Sequence, residues 1–233
     1  IAEALAEFQF TLVRADAPID WYARGDTSAL TPSQKRGGIL FFDHEVGCFE
    51  CHITEGYANQ MFSDFKSHNL AVPQIRPVTT NADFDGPGDN EDFGFEHVSG
   101  EPADRYKSRT QPPSNVTLQP SFMHNGAYVC LQDAVRHHTD VYTTLDNYSN
   151  TILPESLRGP MGPVQPMLDQ VHELSAEPRD LTDDDIDDLV AFMHALSDPD
   201  AHPDRLASLL PAEVPSGLPL QQFDFNRSAP SCN

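Results

Sequence analysis

The strongest constraint on this chain is one hexapeptide, Gly47-Cys48-Phe49-Glu50-Cys51-His52. Two thiols three residues apart, followed at once by an imidazole, fit within a single helical turn. Three chemistries use such a spacing. In haem attachment, the thiols add to the two porphyrin vinyl groups and the histidine ligates the iron. A zinc site wants four ligands, usually from a second paired motif. A redox dithiol wants a βαβ setting. Cys130 and Cys232 are isolated in the sequence, and the residues before Cys48 read as helix. Haem attachment is therefore favoured, with Cys48 and Cys51 as thioether residues and His52 as proximal ligand. On the motif alone, chance stays open.

The pattern of elements agrees with a large buried cofactor. Ile1, Leu5, Phe8 and Leu12 predict an amphipathic helix over residues 1–14. Thr31-Pro32-Ser33-Gln34 is a helix start: Thr31 as N-cap, Pro32 at the first position, Gln34 closing a capping box. That helix is expected to end just before Cys48. Residues 70–120 are rich in Pro, Gly, Asp and Asn, so long loops with short strands at most are expected. Leu131–His138 reads as a helix. Another begins at Thr182, with Asp183, Asp184 and Asp185 in its first turn. Helices joined by long irregular loops leave little regular structure for a core, and a cofactor would supply it.

Composition narrows the partners. The formal net charge is -22, from 36 acidic and 14 basic residues. Such a surface repels nucleic acid and anionic lipid and attracts a small basic electron carrier; solubility in a saline environment explains it equally well. No apolar run is long enough for a transmembrane helix. Residue 1 already reads as helix interior, so no signal peptide is expected within these residues. Cys130 and Cys232 would pair in an exported protein and rarely in a cytosolic one, and sequence alone leaves that open.

The chain resembles the C-terminal domain of the bacterial di-haem cytochrome c peroxidases and their relative MauG. The likeness runs through ALAEFQFTLVRADAPIDWYARGDTSALTPSQKRGGILFF and MFSDFKSHNLAVP. It continues through DFGFEHVSGEPADRYKSRTQPPSNVTLQPSFMHNGAYVCLQDAV and ends at LTDDDIDDLVAFMHALSDP. It implies a mostly α-helical, cytochrome c-like domain around one covalent haem c, with few short strands. It also implies export to the periplasm. The expected divisions are a leading helix and linker (1–30), a haem domain (31–198) and an extended Pro-rich tail (199–233). Family members carry the peroxide-reactive haem in an N-terminal domain, which feeds on an electron-accepting haem in the C-terminal one. This sequence has a single C-x-x-C-H and starts where the C-terminal half starts. The expected function is electron transfer to or from a redox protein or a second haem domain. The alternative is the electron-accepting half of a peroxidase or MauG-like oxidase, and whether the chain is by itself an enzyme stays open.

In that family the second axial ligand is methionine in the peroxidases and tyrosine in MauG. It sits at the end of the helix after an MHDG-like motif, here Met123-His124-Asn125-Gly126. The corresponding position is His138, with His137 beside it, which points to a bis-histidine haem; His137 and Met123 are the other candidates. A histidine that merely caps a helix C-terminus is the plain alternative. The resemblance also implies that His68 lies near the haem and touches a propionate, with a plain loop histidine as the alternative. It suggests Arg109 or Arg105 as substitutes for an arginine that the family has near Pro113-Ser114-Asn115. Family members bind calcium between their domains, near Gln119-Pro120-Ser121 here. The proline is displaced by one, and residues 81–92 fail the EF-hand pattern. Calcium thus stays open and weakly supported.

Overall fold

The computed structural model describes residues 1–56, 61–78, 91–220 and 232. The acidic stretch 81–92 lies outside them, apart from Glu91 and Asp92. In chain order the helices are α1 (Ala2–Phe10), α2 (Pro18–Ala23), α3 (Pro32–Phe41), α4 (Cys48–Cys51), α5 (Glu96–Ser99), α6 (Leu131–Thr139), α7 (Val141–Asn147), α8 (Gln165–Leu168), α9 (Asp183–Ala195) and α10 (Pro203–Leu206). Single 3-10 turns lie between several of them. The only sheet among the described residues is an antiparallel ribbon of β1 (Ser67–His68) and β2 (Ser108–Arg109), with Ser67 opposite Arg109 and His68 opposite Ser108.

Helices α3 and α9 form the scaffold, and each starts for a local reason. The Thr31 hydroxyl accepts the Gln34 N–H at 3.2 Å, and Gln34 Oε1 accepts the Thr31 N–H at 2.9 Å. Thr182 and Asp185 repeat the arrangement at 3.2 and 2.9 Å, the aspartate serving where the usual box has Glu or Gln. The two helices then pack closely at Gly37. A Cβ there would lie 1.8 Å from the Asp188 carbonyl oxygen and 2.9 Å from Cβ of Phe192. Beside this contact the buried Asp188 carboxylate receives Arg36 through two bonds, at 2.6 and 2.8 Å, and the Ser33 hydroxyl at 2.5 Å. Arg36, then Ser33, hold this carboxyl below the usual aspartate range.

The main core lies against this pair. Leu30, Phe41, Phe62, Leu189, Phe192, Met193, Ala195 and Leu196 form it. Burial of a side chain such as Phe192 or Leu189 is worth roughly 1.5–3 kcal/mol. Cys48 and Phe49 of α4, with Leu131 and Val135 of α6, pack on the same cluster. One apolar core therefore fixes α4 and α6 relative to each other. A second cluster gathers Val72, Phe122, Ala127, Tyr128 and Ala134, with Met123 packed on it.

Two local expectations change. The helix predicted over 1–14 ends at Phe10, and none of its residues is buried; Leu5 and Phe8 remain exposed. The stretch after Pro199, expected to be extended, folds through a turn at Pro199–Ala201, α10 and a turn at Ala207–Leu209. Its start is tied back to the leading segment: Asp198 Oδ2 accepts the Asp16 N–H at 2.7 Å, and Arg14 Nε donates to the Asp200 carbonyl at 3.2 Å. Cys130, the N-cap of α6, is disulfide-bonded to Cys232, with their Cα atoms 5.3 Å apart.

Candidate haem-attachment site

Gly47 opens α4 with φ of 77°, a left-handed conformation that suits glycine. The turn it begins carries Cys48 and Cys51 as free thiols on one side. Burial pushes the Cys48 thiol up to about 12. Burial, then the charges of Asp64 and Glu50, push Cys51 up to about 11. Reactive dithiols work the other way, through a lowered thiol pKa. This pair is neutral near pH 7, which argues against the redox-dithiol reading.

His52 follows in the chain, and its orientation is set by a second strand of loop. Asp64 N–H donates to the Cys51 carbonyl at 2.8 Å, and Ser63 N–H to the Ile53 carbonyl at 3.1 Å. This brings the Phe62 carbonyl 3.0 Å from His52 Nδ1. Phe62 has φ of 53°, uncommon for a bulky residue. A carbonyl only accepts, so Nδ1 carries the proton and Nε2 keeps its lone pair. Burial first, and a charge on His138 second, lower His52 to about 4. Among the described residues the ring is thus a neutral donor with Nε2 available.

His138, at the end of α6, is arranged in the same way. Its Nδ1–H donates to the Ala134 carbonyl at 2.7 Å, which leaves Nε2 with the lone pair. The residue is exposed to solvent, yet burial is the leading cause that lowers its pKa. The electrostatic coupling of His138 to His52 places the two imidazoles in one neighbourhood.

The neighbouring His137 is different. It is 0% exposed, and its Nε2–H donates to the Leu70 carbonyl at 2.9 Å. Its Nδ1 lies 2.9 Å from the Tyr128 hydroxyl and 2.8 Å from that of Thr144. Both nitrogens are used, so His137 is a core residue without a lone pair to offer. Met123 packs on the second core cluster.

His68 and Arg109 sit on facing strands of the ribbon. His68 Nε2 lies 2.7 Å from Asp64 Oδ2, and the ring meets that of His172 edge-on at 4.4 Å. Arg109 is exposed, with its guanidinium 5.3 Å from the centre of the Phe65 ring. Arg105 is committed elsewhere, to Glu96 at 2.5 and 3.0 Å and to the face of Phe93. Cys48, Cys51 and His52 thus lie on one turn, with His68 beside Cys51 and His138 the main charged influence on His52 after burial. Sequence reasoning missed Phe62, Asp64 and His172. No motif signals a carbonyl acceptor, an aspartate acting by charge, or a loop histidine brought in from far along the chain.

Two neutral thiols on one turn and an imidazole with a free Nε2 suit covalent attachment of a vinyl-bearing porphyrin and ligation of its metal. His138 offers a second neutral imidazole nitrogen of the kind that ligates such a metal.

Comparison with known proteins agrees with this chemistry. No protein-family model matches the chain. It is 28% identical over 198 residues to "Cytochrome c peroxidase Ccp" of Escherichia coli K12, covering 84% of this chain and 32% of that protein. It is 28% identical over 141 residues to "Methylamine utilization protein MauG" of Methylorubrum extorquens AM1, covering 59% and 34%. Among solved structures it is similar to the diheme peroxidase BthA of Burkholderia thailandensis E264, with a TM-score of 0.61 and 28% identity over 84% of this chain and 48% of that one. The chain thus spans about a third to a half of the length of these relatives. By sequence and by fold, the chain is a homologue of the bacterial di-haem cytochrome c peroxidases and MauG.

Proposed function

We propose that this chain is an electron-transfer domain that carries one haem c, bound through Cys48 and Cys51 and held between His52 and His138. One observation carries the reading. The two histidines are coupled electrostatically, and each gives its Nδ1–H to a backbone carbonyl, so each turns an Nε2 lone pair outward. Haem supplies one-electron chemistry when bound. The residues supply the rest. Cys48 and Cys51 anchor one edge. The Phe62 and Ala134 carbonyls hold the two imidazoles in the ligating tautomer, as outer-shell acceptors do at metal sites. Were both histidines to ligate the iron, they would leave it no open position for peroxide. Arg109 is the candidate propionate contact of this reading.

The Cys130–Cys232 disulfide fits an oxidising compartment and supports export to the periplasm. Among the described residues no helix is long and apolar enough to cross a membrane. The partner is a redox protein or second haem domain, and the charge of -22 favours a basic one.

A second reading has its own support. The relatives are named peroxidases, and this chain covers only 32% and 48% of their lengths. On that reading the chain is the electron-accepting half of a di-haem peroxidase or MauG-like oxidase. The mass of the natural protein separates the two: a single-haem species near 25.8 kDa plus haem favours the relay, and a larger di-haem polypeptide favours the enzyme. Absorption and EPR spectra of His138→Ala test the ligation itself. Loss of the low-spin signature is expected, and an unchanged spectrum contradicts it.

A further inference from the structure

One group of metal-ligating side chains lies outside the axial pair. Cys51, His68 and His172 each bring one ligand atom to within 4.8 Å of the others, and all three residues are partly buried. We propose that His68, His172 and the sulphur of Cys51 form a binding site for copper(I).

The ligand set has an outer shell of its own. Asp64 takes Nε2 of His68 at 2.7 Å, which leaves Nδ1 to face a cation. Carboxylate–histidine–metal chains are built this way. His172 is held by its backbone N–H on the Asn69 carbonyl at 2.8 Å, while its Nδ1 accepts the Leu174 N–H at 3.3 Å, which leaves Nε2. Glu173, then Asp64, add negative charge beside the group, and Lys107 opposes them more weakly. A cation bonded at about 2.0–2.3 Å draws its donors to within about 4 Å of one another, which small side-chain rotations supply.

The choice of ion rests on the haem reading. With haem attached, Cys51 is a thioether, uncharged and soft. Thioether with imidazole selects copper(I), whereas zinc wants thiolate and a fourth ligand. The site is distinct from the axial pair, since neither His52 nor His138 contributes an atom to it.

The test uses the haem-attached protein, titrated with copper(I) anaerobically against a competing chelator, with haem content read separately as the pyridine haemochrome. About one equivalent is expected to be withheld from the chelator. Asp64→Asn should weaken it about 10–100-fold, the usual cost of losing an outer-shell partner. His172→Ala should lose the site while keeping its haem and its visible spectrum. His172→Gln serves if that variant folds poorly. No copper withheld, or copper withheld equally by the His172 variant, overturns the proposal. Zinc held as tightly as copper(I) overturns the choice of ion. Missing covalent haem marks failure of the attachment reading, which the haemochrome reports independently of the chelator.

Discussion

A charge on His138 disfavours a charge on His52, although the two residues come from separate helical segments. The shared core explains their meeting. Cys48, just ahead of His52, and Val135, just ahead of His138, both pack on the Phe41–Phe192 cluster. The two histidines are therefore placed by apolar packing and aimed by backbone carbonyls.

The adjacent histidines of α6 should respond oppositely to substitution. His137→Ala removes a fully buried ring and strands the Leu70 carbonyl and the Tyr128 hydroxyl. It should cost about 2–4 kcal/mol in chemical denaturation while leaving the haem spectrum unchanged. His138→Ala should do the reverse. A His137 variant of normal stability and altered spectrum would contradict the assignment.

Gly37→Ala should destabilise the fold by about 1–3 kcal/mol or more, because its methyl meets the Asp188 backbone, which cannot rotate away. Thermal unfolding checks this. Gly25→Ala provides a control, since nothing lies near its Cβ position and only the strain of its φ of 106° is tested.

Acid should weaken the α3–α9 contact. The Asp188 carboxyl is held below its ordinary value in the folded state, so the unfolded chain binds its proton first as pH falls. The stability this pair gives is present above the unfolded value of about 4 and is lost as pH falls through the folded one. Denaturation midpoints measured between about pH 5 and pH 2 should fall less steeply in Asp188→Asn than in the parent protein. Equal slopes would remove Asp188 from the account.

The disulfide closes a long loop onto the start of α6. Cys232→Ser should cost about 2–4 kcal/mol, the range typical of such crosslinks. An unchanged denaturation midpoint would show that the bond contributes nothing to the fold.

Much of this arrangement is legible in local sequence. Thr31 and Thr182 start helices because their partners Gln34 and Asp185 lie three residues on, a relation visible in the sequence. The thiol spacing and His52 are equally local. His138 needs more: its position at the end of α6 is readable, but what it meets depends on which helix packs where. His172 and Asp64 reach Cys51 through loops that carry no periodic signal. The apolar stripe of α1 misleads, because periodicity reports an amphipathic face and not what covers it.

The most direct test of the central claim is the low-temperature EPR spectrum of the oxidised protein, recorded for the parent chain and for His138→Ala. The account predicts a low-spin signal of two imidazole ligands in the parent and its replacement by a high-spin or altered-ligand signal in the variant, with covalent haem content unchanged. A parent spectrum without a second imidazole, or one that His138→Ala leaves intact, would contradict it.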